Sequence, residues 1–219
     1  MNNFVELFSG CGEVSRCFSA THNVFSIDIR KRKGICEPTL RKDIFKCERK
    51  DIPFEIIHVL WCSVPCTAFS YSAGNYYFSK GGIIKPTATP YVKILIKTLR
   101  YIQLLKPTLW FIENPRGHLR YQKVLIDFLT KNNGMIKELT LGSYGFPTTK
   151  PTNIFTNAVT WQPKQMLPFG KYYSKCKNDF SNLTIVKRQK IPFALAEDIR
   201  MYCESYRNET TPALKVTGT

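Results

Sequence analysis

No run of the 219 residues is apolar for long enough to cross a bilayer, and residues 1–5 carry no leader pattern before a strand-like segment begins. The expectation is a soluble intracellular chain, cytoplasmic or nuclear, with no membrane partner. Histidine is scarce, with only His22, His58 and His118, far apart in sequence. The eight cysteines (11, 17, 36, 47, 62, 66, 176 and 203) include no C-x-x-C pair. Scattered histidines and isolated thiols do not make a structural zinc site, so no metal is expected, and free thiols are the default. There is no internal repeat and no low-complexity tract. Acidic residues are also short, 16 against 32 Lys+Arg, which leaves a formal charge of +16. That balance points to a polyanionic partner, nucleic acid before an anionic membrane surface, unless the whole proteome is basic. The dense run R-K-R-K at 30–33 reads either as a phosphate-contacting or import patch or as a solvated loop.

What is present suits one domain with a sizeable core and a small appendage: 43% of the residues are hydrophobic. Strand-like and helical segments alternate. Strands are expected at 4–8, 24–27, 56–61, 109–112, 135–141 and 154–156, and helices at 13–19, 91–105, 117–130 and 188–205. The first strand runs into S-G-C-G at 9–12, a glycine turn before a helix, where free N–H groups favour an anionic group. Asp28 follows the second strand, where an acidic residue either bonds ribose hydroxyls or is simply solvated.

The stretch V-L-W-C-S-V-P-C-T-A-F-S at 59–70 organises the rest. It is an apolar strand broken at Pro65, and Cys66 lies just past the break. Open α/β sheets bind ligands beyond strand carboxyl ends, so Cys66 is a candidate nucleophile; a buried structural thiol is the alternative. Glu113 ends the strand at 109–112. With parallel strands, Glu113 and Cys66 share one crevice, pairing a nucleophile with a carboxylic acid. The Gly-, Tyr- and Pro-rich loop at 71–90 is long enough to be a lid. Its aromatics either stack on bases or pack back on the domain.

Five segments, in order, resemble the motifs of the cytosine-5 DNA methyltransferases. These are F-V-E-L-F-S-G-C-G at 4–12, P-C-T-A-F-S at 65–70, E-N-P at 113–115, Y-G-F-P-T-T-K-P-T at 144–152 and R-Q-K-I-P-F-A-L-A-E-D-I at 188–199. The resemblance covers nearly the whole chain. It implies an α/β, Rossmann-like S-adenosylmethionine-dependent fold, a mostly parallel sheet with helices on both faces. It implies methylation of cytosine carbon 5 in DNA through a covalent Cys66 adduct with a flipped base. Methylation of RNA, or a catalytically silent nucleic-acid binder of the same fold, is the alternative.

The resemblance assigns Pro65 and Cys66 to the catalytic loop, Glu113 to the base and Asn114 to ordering the loop. It assigns Phe8, Ser9, Gly10, Cys11 and Gly12 to the methionine end of the cofactor, Asp28 and Ile29 to the ribose, and Asp43 and Ile44 to the adenine. Ser70, Tyr71, Lys80, Lys85, Tyr144 and Lys150 are the expected nucleic-acid contacts. Several residues depart from the usual pattern. Glu6 and Glu13 replace Asp and Gly, Thr67 replaces Gln, Pro115 replaces Val, and Thr148, Lys150 and Thr152 replace Gln, Arg and Arg. The expected division is a core at 1–157, a reduced target-recognition region at 158–187, a C-terminal helix returning to the core at 188–207 and a tail at 208–219. So short a recognition region resembles the compact form found in phages and large DNA viruses, and implies short or lax sequence specificity.

Overall fold

A computed structural model describes residues 1–30, 37–79, 82–164, 184 and 189–210. Lys80, residues 31–33 of the basic run, most of 158–187 and the last nine residues lie outside them. The strands are β1 (Asn2–Leu7), β2 (His22–Asp28), β3 (Leu40–Arg41), β4 (Val59–Ser63), β5 (Leu109–Pro115), β6 (Met135–Thr140) and β7 (Pro151–Thr156). The helices are α1 (Glu13–Phe18), α2 (Thr89–Leu105), α3 (Lys123–Lys131) and α4 (Phe193–Thr210). The strands form one sheet in the order β3-β2-β1-β4-β5-β7-β6. The first five are parallel, and β7 runs antiparallel to both of its neighbours.

Near-continuous apolar runs become the central strands because both faces of a parallel sheet are covered. Phe4, Trp61 and Phe111 pack with Phe18 of α1 and with Leu195 and Ile199 of α4 on one face. Leu60 and Ile112 pack with Leu95 and Leu99 of α2 and with Leu125 and Phe128 of α3 on the other. The order reverses beside β1. From β1 the chain goes outward to β2 and β3, then returns to β4 on the other side. This opens a crevice at the carboxyl ends of β1 and β4.

Five expectations change. The helix read at 117–130 is broken into a 3-10 turn, His118–Tyr121, and α3, with Gln122 extended between them. Its first backbone N–H is used elsewhere: His118 donates to the Phe69 carbonyl at 2.6 Å. The strand read at 154–156 begins earlier, at Pro151, because proline is tolerated as a first strand residue. The C-terminal helix begins at Phe193 rather than 188, since the residue before Pro192 is steered away from helix, and it runs to Thr210, into the expected tail. The strand read at 56–61 is displaced to Val59–Ser63. The expected lid is not bare loop: it holds the 3-10 turns Tyr71–Tyr76 and Pro86–Ala88 and a bridge between Phe78 and Ile84. Among the described residues no helix is long and apolar enough to cross a membrane, and no group of side chains could hold a metal.

Gly134, between α3 and β6, sits against side chains of the core. A Cβ there would lie 2.7 Å from Trp110 Cη2 and 2.8 Å from a Leu129 methyl. Gly134→Ala is therefore expected to destabilise the fold by about 1–3 kcal/mol, as overpacking does, read as a lowered urea midpoint with an unchanged slope.

Candidate active site

β4 ends at Ser63, and 64–70 follows at the carboxyl end of the parallel strands. Phe69 and Ser70 both donate backbone N–H groups to the Cys66 carbonyl, at 3.0 Å each. Asn114, fully buried at the end of β5, donates from Nδ2 to the Val64 carbonyl at 2.8 Å. The carboxyl of Glu113 is buried, with a hydrogen bond from Ser63, its register partner on β4. Trp61 Nε1 in turn donates to Ser63 Oγ at 2.9 Å. Glu113 Oε1 has no hydrogen-bond partner among the described residues. Burial pushes the Glu113 carboxyl up, while Lys150 and the Ser63 hydrogen bond hold it down. Burial also pushes the Cys66 thiol up, the Glu113 charge adds to this, and Lys150 opposes both. Lys150 takes a left-handed backbone (φ 32°), and its ammonium stands 5.3 Å from the Phe146 ring centre.

The end of β1 forms the other half. Phe8, Gly10 and Gly12 all have positive φ (57°, 54° and 70°), which costs Phe8 roughly 1–2 kcal/mol. The turn is held by Asp28, which accepts from Gly10 N–H at 2.8 Å through one oxygen and from Arg30 N–H at 2.8 Å through the other. Asp43 accepts from Phe45 N–H at 3.0 Å, capping a 3-10 turn that buries Ile44. Glu6 is buried below the turn, where it accepts from Ser15 N–H at 2.9 Å and from the Ser15 hydroxyl. Desolvation outweighs those hydrogen bonds and pushes its carboxyl from 4.5 to about 7. Glu13 pairs with Lys190, just before α4, at 2.8 Å.

Both halves open into one cavity of about 1460 Å³. Phe8, Ser9, Gly10, Cys11, Asp28, Ile29, Asp43 and Ile44 line one part of it; Pro65, Cys66, Ser70, Tyr71, Glu113 and Lys150 line the other. Gly12 does not line it and serves as the N-cap of α1, accepting from Arg16 N–H at 2.9 Å. Asn114 acts from behind the wall. Lys85 lies outside the cavity, with its ammonium on the Asn75 carbonyl. The expectation for Tyr144 is corrected. Its ring is buried, its hydroxyl donates to Asp198 Oδ2 at 2.9 Å, and it accepts from Lys164 N–H at 2.8 Å. Tyr144 is a packing residue between β6 and α4 rather than a nucleic-acid contact.

Sequence reasoning did not assign Glu6, Ser63 or Arg116 to the site, though Glu6 and Arg116 line the cavity and Ser63 both lines it and holds Glu113. Only Glu6 had a local signal, as the acidic residue ending an otherwise apolar strand.

Residues 2–140 match the family of C-5 cytosine-specific DNA methylases. The chain belongs to this family. Its fold is similar to that of the Entamoeba histolytica methyltransferase EhMeth, with 20% identity over 78% of this chain and 57% of that one and a TM-score of 0.54. It is also similar to that of a candidate DNA modification methyltransferase encoded within an E. coli prophage, with 16% identity over 77% of this chain and 52% of that one and a TM-score of 0.53. At such identities the likeness is one of fold, and the chain spans just over half the length of these two proteins. No curated protein matches it.

Two predictions follow from the charges. The raised Glu6 carboxyl contributes stability that is full below about pH 4.5 and is lost as the pH rises through about 7. Glu6→Gln carries no such penalty, so it is expected to exceed the wild type by about 1–3 kcal/mol at pH 8.5 and to match it near pH 4.5, measured by urea unfolding. Lys150→Gln removes the cation that lowers the Cys66 thiol. Its alkylation by iodoacetamide is expected to need a higher pH, and to be slower than in the wild type at pH 8.

Proposed function

We propose that the protein is an S-adenosylmethionine-dependent DNA cytosine-5 methyltransferase. The reading is carried by the single cavity that joins the glycine turn and its carboxylates to Cys66 and Glu113. At about 1460 Å³ it exceeds the roughly 300–1,000 Å³ of a site for one small molecule. It has room for a cofactor and a base side by side.

The residues present suit the cofactor. A cationic centre beside buried Glu6 would favour its ionised form, and the backbone at 8–11 allows close approach. Phe8, Ser9, Gly10 and Cys11 would hold the methionine end, Asp28 and Ile29 the ribose, and Asp43 and Ile44 the adenine. Gly12 would support the turn from behind. When bound, S-adenosylmethionine supplies an electrophilic methyl group.

The protein's own residues supply the rest. Cytosine carbon 5 is a poor nucleophile until a thiolate adds at carbon 6, which is the role of Cys66. Glu113, whose carboxyl burial pushes up, would donate its proton to ring nitrogen 3 and stabilise the electron pair that addition displaces. Ser63 orients that carboxyl, and Asn114 holds the start of the nucleophile loop through Val64. Lys150 stabilises the Cys66 thiolate before attack. After carbon 5 is methylated its proton is lost, the ring double bond re-forms and the Cys66 thiolate leaves. The base must leave its stack to reach Cys66. Ser70, Tyr71 and Arg116 at the cavity mouth, with Lys80 and Lys85 on the lid, would meet the flanking strand, and the net charge of +16 draws in the polyanion. The short 158–187 stretch, as a reduced recognition region, fits a phage or viral setting. The six cysteines among the described residues are free thiols, which fits an intracellular one.

The test is transfer of labelled methyl to duplex DNA, single-stranded DNA and transfer RNA by the wild type and by Cys66→Ser. Duplex DNA is expected to be labelled, and Cys66→Ser to lose at least about a thousandfold, since no covalent adduct forms. Label on transfer RNA alone replaces the substrate assignment. Absent transfer together with absent cofactor binding by calorimetry makes the protein a silent binder.

A further inference from the structure

The nucleophile loop is held at both ends by one short stretch, 114–118, at the exit of β5. Asn114 holds the start of the loop, as described above. The other end rests on Gly117 and His118. His118 N–H donates to the Phe69 carbonyl at 2.6 Å, and Ser70 bridges Gly117 in antiparallel fashion. Gly117 has an extended backbone (φ 176°), which any residue adopts. Its conformation is therefore not why glycine stands there. The reason is space: a Cβ on Gly117 would lie 2.0 Å from the Phe69 carbonyl oxygen, 3.0 Å from its carbon and 3.1 Å from Ser70 Cα. All three are backbone atoms, so no side chain can swing aside to make room.

What Gly117 touches leads straight to the nucleophile. Phe69 and Ser70 are the two residues whose N–H groups bond the Cys66 carbonyl. They cannot move without moving Cys66. Nor can the stretch at 114–118 yield, because Arg116 N–H donates to the Pro151 carbonyl at 2.9 Å and Asn114 and Pro115 pair with Asn153 and Thr152 of β7. Above the loop, Phe69 packs on Phe78 at 5.9 Å, and Phe78 stacks on the His118 ring at 4.6 Å and 21°. Tyr71 meets the same ring edge-on at 5.1 Å. The lid and the nucleophile loop thus share one anchor.

We propose that Gly117 is a positioning residue for the nucleophile: the missing side chain lets Phe69 and Ser70 seat against the β5 exit, and their hydrogen bonds set where Cys66 stands. The placement of Cys66 as nucleophile rests on the function proposed above, so the test reads the thiol rather than turnover. Wild type, Gly117→Ala and Gly134→Ala are treated with iodoacetamide. Alkylation of Cys66 is measured by peptide mass spectrometry against Cys11 in the same molecule. Gly134→Ala is the control for general destabilisation, since its clash lies in the core behind the sheet.

Gly117→Ala is expected to raise the Cys66-to-Cys11 ratio at least fivefold, because a displaced loop exposes the half-buried thiol further, while Gly134→Ala stays within twofold. S-adenosylmethionine affinity by calorimetry is expected to stay within threefold, as Gly117 does not line the cavity. Where methyl transfer is detectable, kcat should fall at least thirtyfold with the cofactor KM unchanged. Should Gly117→Ala not yield folded protein, His118→Pro deletes the hydrogen bond to Phe69 at the first position of a helical turn, where proline is tolerated, and is expected to raise the ratio too. An unchanged or lower ratio in the folded variant, or an equal rise in Gly134→Ala, overturns the proposal. A raised ratio in a chain that transfers no methyl group supports the clamp and counts only against the enzymatic reading.

Discussion

The parallel register of β4 on β5, with Ser63 opposite Glu113, is the constraint on which the site depends. Side chains alternate across a strand, so this register puts Ser63 and Glu113 on the same face and at the same end. The neighbouring pair of β1 and β4 aligns Glu6 with Trp61, two residues before Ser63. Three polar groups on three strands therefore collect at one end of an otherwise apolar sheet. A slip of one residue between β4 and β5 would turn Glu113 to the face opposite Ser63, toward α2 and α3 and out of the crevice. Apolar burial on both faces enforces the register: Trp61 and Phe111 pack under α4, and Leu60 and Ile112 pack against the other helical layer.

The same burial makes the polar groups costly. Glu113 Oε1, Asn114 Oδ1 and Thr148 Oγ1 are all buried without a hydrogen-bond partner among the described residues. Buried orphans of this kind typically cost about 1–3 kcal/mol each. Of these, Glu113 and Thr148 line the cavity, the pattern expected where a fold gives up stability to present unpaired groups to a ligand. The antiparallel strand β7 contributes from the other side. It places Asn153 against Asn114 and carries the chain from Lys150, at the cavity, into the sheet.

Much of this arrangement was legible in the order of residues. The apolar runs at 4–8 and 109–112 became strands because they carry their own period and burial signal, whereas the strand read at 56–61 lies at Val59–Ser63. Pro65 and the glycines at 10 and 12 marked the breaks that open the crevice. What was not legible depends on partners far away in sequence. Tyr144 sits in a segment resembling a base-contacting motif, but its hydroxyl bonds Asp198, 54 residues on, and no local pattern reports that. The helix read at 117–130 followed a sound apolar period, yet its first turn is diverted to the Phe69 carbonyl. Gly117 gave no signal as a turn residue because its φ is ordinary; its requirement comes from a contact with the loop at 69–70. The helix at Phe193–Thr210 was displaced from its expected start by the steric effect of a single proline.

The electrostatics of Cys66 and Glu113 pull in opposite directions, and Lys150 sits on the balance. Low dielectric around the pair favours the neutral form of each group. In the proposed reaction that would help Glu113, since a hydrogen-bond donor to the base must carry its proton, and would hinder Cys66, because attack needs the thiolate. A cation at Lys150 lowers both groups. It aids the thiolate and erodes the protonated acid, so a stronger or closer cation is not simply better. The two groups are also coupled: an ionised Glu113 raises Cys66 further. The state with both groups ionised is penalised, whereas the proposed chemistry needs a thiolate beside a neutral carboxylic acid. A lysine on a flexible stem, held back over Phe146, tunes that balance without the fixed two-point grip of an arginine on the carboxylate. On this argument the substitution of Lys for the family's usual Arg at position 150 protects the proton on Glu113 at some cost to thiolate formation.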